Sequence, residues 1–314
     1  MNLHNDIKLF SDTIRATSQH TGIRDVFVEK DYWITLVLRQ FSSSNYSEQM
    51  VFKGGTSLSK GYGLINRFSE DVDIAIINGQ NKSGNEVKTI IRAVEKVMTA
   101  GLKEKQVEGV SSKGSRFRKS IFEYASIDSR NISNTLIVEI NSFANPFPFQ
   151  SLKIESFICS FLSQTENARM VAQYDLFPFE INVLNKEQTL MEKLASLIRF
   201  SFDANAAESI ASKIRHFYDL YYLMNDADCA AFVQTTSFKK QFEEILQHDR
   251  DIFDQPVGWS KSNIQESPLV TDFENIWKQL KDVYKRELSA LAYTPIPDER
   301  LISEQFAVLI KNIQ

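Results

Sequence analysis

The spacing of apolar residues divides the chain into two parts of different character. Leu3, Ile7, Phe10 and Ile14 recur at helical intervals, and Gly22 ends that helix. A second helix is predicted from Asp25 as N-cap, with Phe27, Ile34, Leu38 and Phe41 on one face. The serine-rich stretch 42–47 reads as a turn. A short strand over residues 50–53 precedes Gly54-Gly55-Thr56-Ser57, which opens a helix. Residues 71–77 have strand character. Successive side chains of a strand face opposite ways, so Asp71 and Asp73 share one face and Val72, Ile74 and Ile76 the other. Val87, Ile91, Val94 and Met98 mark an amphipathic helix stopped by Gly101. Further strands are predicted around residues 121–125 and 135–143. In the second of these, Glu139 faces away from Val138 and Ile140.

From residue 186 the pattern is helical. Thr189 caps a helix that carries Lys193 and runs through Phe200, and residues 208–224 form another. A looser stretch, 248–271, is interrupted by Pro256, Gly258 and Pro268. Two terminal helices follow, one with Phe273, Ile276, Trp277, Leu280 and Tyr284, the other with Ile302, Phe306, Leu309 and Ile313. The expected organisation is an N-terminal lobe of strands and helices, 1–185, and a helical lobe, 186–314.

Composition narrows this picture without changing it. The 314 residues are 43% hydrophobic and 24% charged, an ordinary globular mixture. The formal charge of −4 means that any nucleic-acid contact must come from a local basic patch. Cys159 and Cys229 fit neither a zinc motif nor a disulfide framework. No signal peptide is seen, and no run approaches the roughly 20 apolar residues that span a bilayer. The expectation is a reduced, cytoplasmic protein.

The chemistry concentrates in Gly54-Gly55-Thr56-Ser57 followed by Asp71-Val72-Asp73. An Asp-x-Asp on a strand is ordinarily a solvated edge, and a Gly-Gly ordinarily a turn. In strand–turn–helix–strand order the two together are far more specific. Phosphoryl transfer needs positioning and charge neutralisation more than covalent help. Two carboxylates on one strand face can hold a pair of magnesium ions, which clamp the attacking and leaving oxygens. The Gly-Gly step admits a triphosphate close to the backbone, and the helix start offers free N–H groups. Thr56 and Ser57 add hydroxyl donors.

These residues carry a family resemblance. Residues 52–60 (FKGGTSLSK) and 67–73 (RFSEDVD) resemble the AbiEii/AbiGii-type nucleotidyltransferase toxins, relatives of the MenT toxins within the polymerase-β-like superfamily. Residues 28–33 (VEKDYW) resemble the helix before the core in that group, and 192–195 (EKLA) with 215–220 (RHFYDL) resemble its downstream Lys and Asp motifs. The resemblance covers roughly 26–224. It implies an α+β fold: a polymerase-β-like core, a mixed sheet flanked by helices, with a helical C-terminal lobe. It also implies Asp71 and Asp73 as ligands of Mg2+ or Mn2+, Lys193 on the triphosphate, and Asp219 as a second essential carboxylate. Ser69 would sit beside the metal site, where some members are phosphorylated by the antitoxin. The wider fold usually adds a third carboxylate, for which Glu139 is the candidate.

The activity implied is a toxin's: a nucleoside triphosphate is used to add nucleotides to RNA, at the 3′ end of tRNA, with a cognate antitoxin as partner. The alternatives are a protein or small-molecule acceptor, or a binding protein descended from such an enzyme. Lys113, Arg116, Arg118 and Lys119 form the densest basic run, which is either a solvated loop or a grip on RNA phosphates, with Lys213 and Arg215 from the helical lobe. Arg215 lies one helical turn before Asp219, so it either pairs with it or binds phosphate.

Overall fold

The computed structural model describes residues 2–128 and 134–314, which fall into two compact units. The first comprises Met1–Gly63 and Phe68–Leu184, the second Leu64–Arg67 and Asn185–Gln314.

The first unit begins with helices α1 (Ile7–Thr21) and α2 (Asp25–Ser42). Asp25 is the first helical residue of α2, with Arg24 at the cap position, so the acid serves the helix dipole from its first turn. Strand β1 (Met50–Lys53) runs straight into α3 (Gly54–Lys60), and β2 (Asp71–Ile76) follows. Helix α4 (Gly84–Met98) precedes β3 (Lys103–Lys105), β4 (Ser112–Lys113), β5 (Phe117–Glu123) and β6 (Thr135–Asn141). The unit closes with β7 (Phe149–Ile154), α5 (Phe157–Ser163), α6 (Arg169–Gln173) and β8 (Phe179–Leu184).

The eight strands of the described residues form one mixed sheet of order β3-β5-β6-β2-β1-β8-β7, with β4 beside β5. Strand β2 is antiparallel to β1 and parallel to β6, and β1 is parallel to β8. One face carries Phe52, Val72, Ile74, Val138, Ile140 and Val183, all at most 1% exposed. Helices α2 and α4 cover it. Each such side chain contributes roughly 1.5–3 kcal/mol on burial. A one-residue slip of β2 would move Val72 and Ile74 to the polar face and bury Asp73, so the apolar face dictates where the carboxylates point.

The second unit is helical: α7 (Lys186–Phe200), α8 (Ala206–Ala211), α9 (Arg215–Asn225), α10 (Ala227–Val233), α11 (Thr236–Ile252), α12 (Pro268–Thr271), α13 (Phe273–Leu291) and α14 (Glu299–Lys311). Leu64–Arg67 joins it through an antiparallel bridge between Arg67 and Ala292 and a bond from the Tyr293 N–H to the Asn66 carbonyl, 2.8 Å.

Several elements differ from the sequence reading. Strand β5 begins at Phe117 and so takes in Arg118 and Lys119. Strands β7 and β8 form where apolar spacing predicts no strand, although β8 lies next to β1. In β8, Phe179, Ile181 and Val183 do alternate, a strand signal that the sequence reading leaves unused, whereas β7 shows no such regular alternation. The α7 cap is Asn185, whose carbonyl accepts from the Thr189 N–H and hydroxyl. Residues 208–224 divide into α8 and α9, with 212–214 between. Helices α10 and α11 add two elements between α9 and the looser stretch. Both cysteines are buried free thiols. No described helix is long and apolar enough to cross a membrane.

Candidate active site

The polar face of the central strands gathers the predicted carboxylates. Asp73 lies directly opposite Lys53 on β1 and opposite Glu139 on β6. Glu139 lies opposite Lys119 on β5. Paired residues share a face, so Lys53, Asp73, Glu139 and Lys119 make one row across four strands, with Asp71 two residues along. Asp71 and Asp73 are half-buried, in contrast to the fully buried Val72 between them. The Lys119 ammonium stands 3.5 Å from the Glu139 carboxylate. Asp71, Asp73 and Glu139 outnumber the two lysines of this face, so a divalent ion would meet net negative charge there. Among the described residues, no three His, Cys, Asp or Glu side chains converge as a ready metal cage. The fit therefore rests on the Asp71–Asp73 pair, with water and phosphate oxygens completing the shell, as magnesium prefers.

The glycine turn abuts this row. Gly54 has φ +80°, and a Cβ built there would collide with the Asp73 carboxylate. The missing side chain is thus what lets the turn and the carboxylate strand meet. Gly55 is half-buried in the first turn of α3. Thr56 and Ser57 are buried and give their protons to the backbone: Thr56 Oγ1 donates to the Asp71 carbonyl, Ser57 Oγ to the Gly54 carbonyl at 2.8 Å. The Thr56 hydroxyl holds α3 against β2, while that of Ser57 bonds within the first turn of α3. Ser69 is 9% exposed, between Phe68, stacked on Phe27 at 4.8 Å, and Glu70, bound to Lys30 at 2.6 Å.

The basic run does not form one patch. Arg116 donates to the carbonyls of Gly79 and Lys82 at 3.1 and 2.9 Å. Arg118 is ion-paired with Glu95 of α4 at 2.5 Å, on the apolar side of the sheet, and Lys113 with Glu104 at 2.9 Å. Adjacent strand residues face opposite ways, so of Arg118 and Lys119 only Lys119 shares the carboxylate face.

In the second unit Lys193 and Asp219 meet, and Arg67 joins them. Asp219 is 0% exposed. Arg67 Nε donates to its Oδ1 at 2.7 Å and Arg67 Nη2 to Oδ2 at 2.6 Å, while Lys193 Nζ lies 2.8 Å from Oδ2. Burial penalises the Asp219 charge, yet the two cations outweigh it and hold the carboxyl well below the ordinary carboxylate range. Asp219 is therefore held by Arg67 and Lys193, not by Arg215, which is half-buried at the start of α9. His216 has a buried Nδ1 without a partner, and burial with the nearby Lys193 charge lowers its pKa well below the usual value. Sequence reasoning does not single out Arg67. Its available signal is a charge set between Ile65 and Phe68, four residues before Asp71.

Among curated proteins, none matches the chain. Among solved structures, one similar to it is MenT4, a nucleotidyltransferase toxin from Mycobacterium tuberculosis. The identity is 16% and the TM-score 0.50, covering 94% of this chain and 89% of that one, a likeness of fold. Residues 36–307 match the family described as the nucleotidyl transferase AbiEii toxin of type IV toxin–antitoxin systems. With most of its length matched, and a glycine turn set against a row of strand carboxylates, the chain belongs to the AbiEii nucleotidyltransferase toxin family.

Proposed function

We propose that the protein transfers a nucleoside monophosphate from a nucleoside triphosphate to the 3′ end of an RNA, tRNA in the first place, using a divalent cation held by Asp71 and Asp73. The observation that carries this reading is the contact between Gly54 and the Asp73 carboxylate, with Glu139 in register beside it. A bound Mg2+ or Mn2+ would neutralise phosphate charge and polarise the reacting oxygens. Asp71 and Asp73 would hold it, and Glu139 would add negative charge to the same row. The Gly54-Gly55 backbone gives the triphosphate a close approach without a side chain in the way. Lys53 and Lys119, which flank the carboxylates in the row, supply cations for acceptor or nucleotide phosphates. Within the second unit, Asp219 holds Lys193 together with Arg67; the family resemblance assigns Lys193 to the triphosphate. The type IV classification implies an antitoxin as partner.

The deciding experiment supplies the protein with Mg2+, total cell RNA and each labelled triphosphate in turn. Label is expected in RNA of tRNA size, released by 3′ exonuclease digestion. Label confined to protein, or to a small hydroxylated compound, would replace the RNA reading with one of the other acceptors.

The glycine turn allows a controlled test of its own. Gly54→Ala combines an unfavourable positive φ, about 1–2 kcal/mol, with a Cβ pushed onto Asp73. Gly22→Ala has the same backbone problem, φ +72°, and open space around it. Both variants are expected to lose stability in denaturant titrations, Gly54→Ala at least as much as Gly22→Ala. Only Gly54→Ala is expected to lose transfer activity, by tenfold or more, on the order of one further 1.4 kcal/mol at the reacting centre. Equal activity loss in the two would make the Gly54–Asp73 contact incidental.

A further inference from the structure

Helix α2 carries three consecutive charged residues that are all buried: Glu29, Lys30 and Asp31, at 1, 2 and 3% exposure. Charged side chains this deep are rare unless paired. Consecutive helix positions point about 100° apart, so three in a row cannot share one solvated face. Each engages a different segment of the first unit. Glu29 accepts from the Ser126 hydroxyl at 2.9 Å and from the Ile127 N–H at 2.7 Å. Lys30 donates to Glu70 at 2.6 Å and lies 5.6 Å from the Phe68 ring centroid. Asp31 accepts from Lys60 at 2.5 Å and from the Phe157 N–H at 2.8 Å.

Two of these segments are the two halves of the proposed nucleotide site. Glu70 immediately precedes Asp71, and its carbonyl accepts from the Ile137 N–H at 3.4 Å, at the start of the β2–β6 pairing. Lys60 ends α3, the helix that begins at Gly54, and it also donates to the Glu155 carbonyl at 2.6 Å. One helix thus ties the carboxylate strand and the glycine turn at adjacent residues. We propose that Lys30 and Asp31 are positioning residues: Lys30, through Glu70, sets the strand that presents Asp71 and Asp73, and Asp31, through Lys60, sets the turn at Gly54. Packing alone does not call for charges here, because Phe27, Ile34, Leu38 and Phe41 already bury α2. Apolar residues at 30 and 31 would serve packing equally well, and neither the half-exposed Lys30–Glu70 pair nor the buried Asp31–Lys60 pair is strong evidence of stabilisation, which leaves orientation as their use.

This inference rests on the reading of Asp71 and Asp73 as the metal-holding pair, and its test separates the two. The full-length protein is titrated with Mn2+, followed by water-proton relaxation, and assayed for kcat and for KM with each triphosphate and total cell RNA. All values are normalised to the folded fraction from circular dichroism. Lys30→Met is expected to weaken Mn2+ binding about tenfold and to lower kcat in proportion, at nearly constant KM. Lys30→Arg, which keeps the charge, is expected to recover most of both. Asp31→Asn is expected to raise KM for the triphosphate while Mn2+ affinity is kept. Glu70→Gln probes the Lys30 link from its more exposed partner should Lys30→Met fold poorly, and should reproduce the Mn2+ effect. Parental Mn2+ affinity and kcat per folded molecule in both Lys30→Met and Glu70→Gln would overturn the positioning role. Parental Mn2+ affinity in Asp71→Asn would instead remove the metal reading on which it rests.

Discussion

Asp71→Asn and Asp73→Asn are each expected to lower nucleotidyl transfer on the order of a thousandfold. A bound cation contributes several kcal/mol of charge stabilisation at the reacting phosphate, and each ~1.4 kcal/mol is a factor of ten in rate. Stability should move the other way. Without metal, Asp71, Asp73 and Glu139 outnumber Lys53 and Lys119 on this face, so removing one negative charge brings the face closer to neutral. Melting temperatures in EDTA are therefore expected to be equal to or above the parent's. Added Mg2+ should raise the melting temperature of the parent and leave the variants unmoved, because a ligand stabilises only what it binds. Near-parental transfer by either variant, or an equal Mg2+ shift in all three proteins, would remove these residues from the metal site.

The largest stability effect is expected at Asp219. Its removal would leave Arg67 and Lys193 buried without their shared counter-charge, at 3% and 8% side-chain exposure. Breaking a buried pair in this way costs about 3–5 kcal/mol, a large part of the roughly 5–15 kcal/mol that a folded protein has in total. Asp219→Ala should therefore lower the denaturation midpoint far more than Asp71→Asn, and an unchanged midpoint would show that the two cations find other partners. The same group predicts an acid dependence. Its folded pKa is depressed, so its contribution is complete above the ordinary carboxylate value near 3.8 and is lost as pH falls below it. His216 acts at higher pH in the same direction. Its pKa is lowered by burial and by Lys193, so below about 6.5 the unfolded chain takes up a proton that the folded one refuses. Stability should fall in two steps on acidification. His216→Gln is expected to shrink the upper step, to which the half-buried His4 also contributes, and to leave the lower.

Part of the candidate site is legible in the residues alone. Asp71 and Asp73 can be assigned to one strand face because alternation is a property of consecutive residues. Gly54-Gly55 can be read as a turn because glycine lacks a Cβ, but its contact with Asp73 comes from the pairing of β1 with β2. The basic run misleads: four cations close in sequence suggest one patch, but strand alternation sends Arg118 to Glu95 and Lys119 to Glu139. Lys193 and Asp219, as charges on helices, would pass for surface ion-pair partners, the usual fate of such residues. Both are buried, and Asp219 takes Lys193 together with Arg67, 152 residues away in the chain.

The sequence by itself determined the local grammar of this protein: amphipathic helices, a strand with acids on one side and valine and isoleucine on the other, and a glycine step before it. Those features follow from side-chain periodicity and backbone freedom within a few residues. Tertiary structure decided the partners. It set Glu139 beside Asp73 through the parallel pairing of β2 with β6, and it placed β8 against β1. It also turned Glu29, Lys30 and Asp31 inward to three separate segments. The reason is that local pattern fixes which way a side chain points, while its partner depends on which distant segment the hydrophobic face brings alongside.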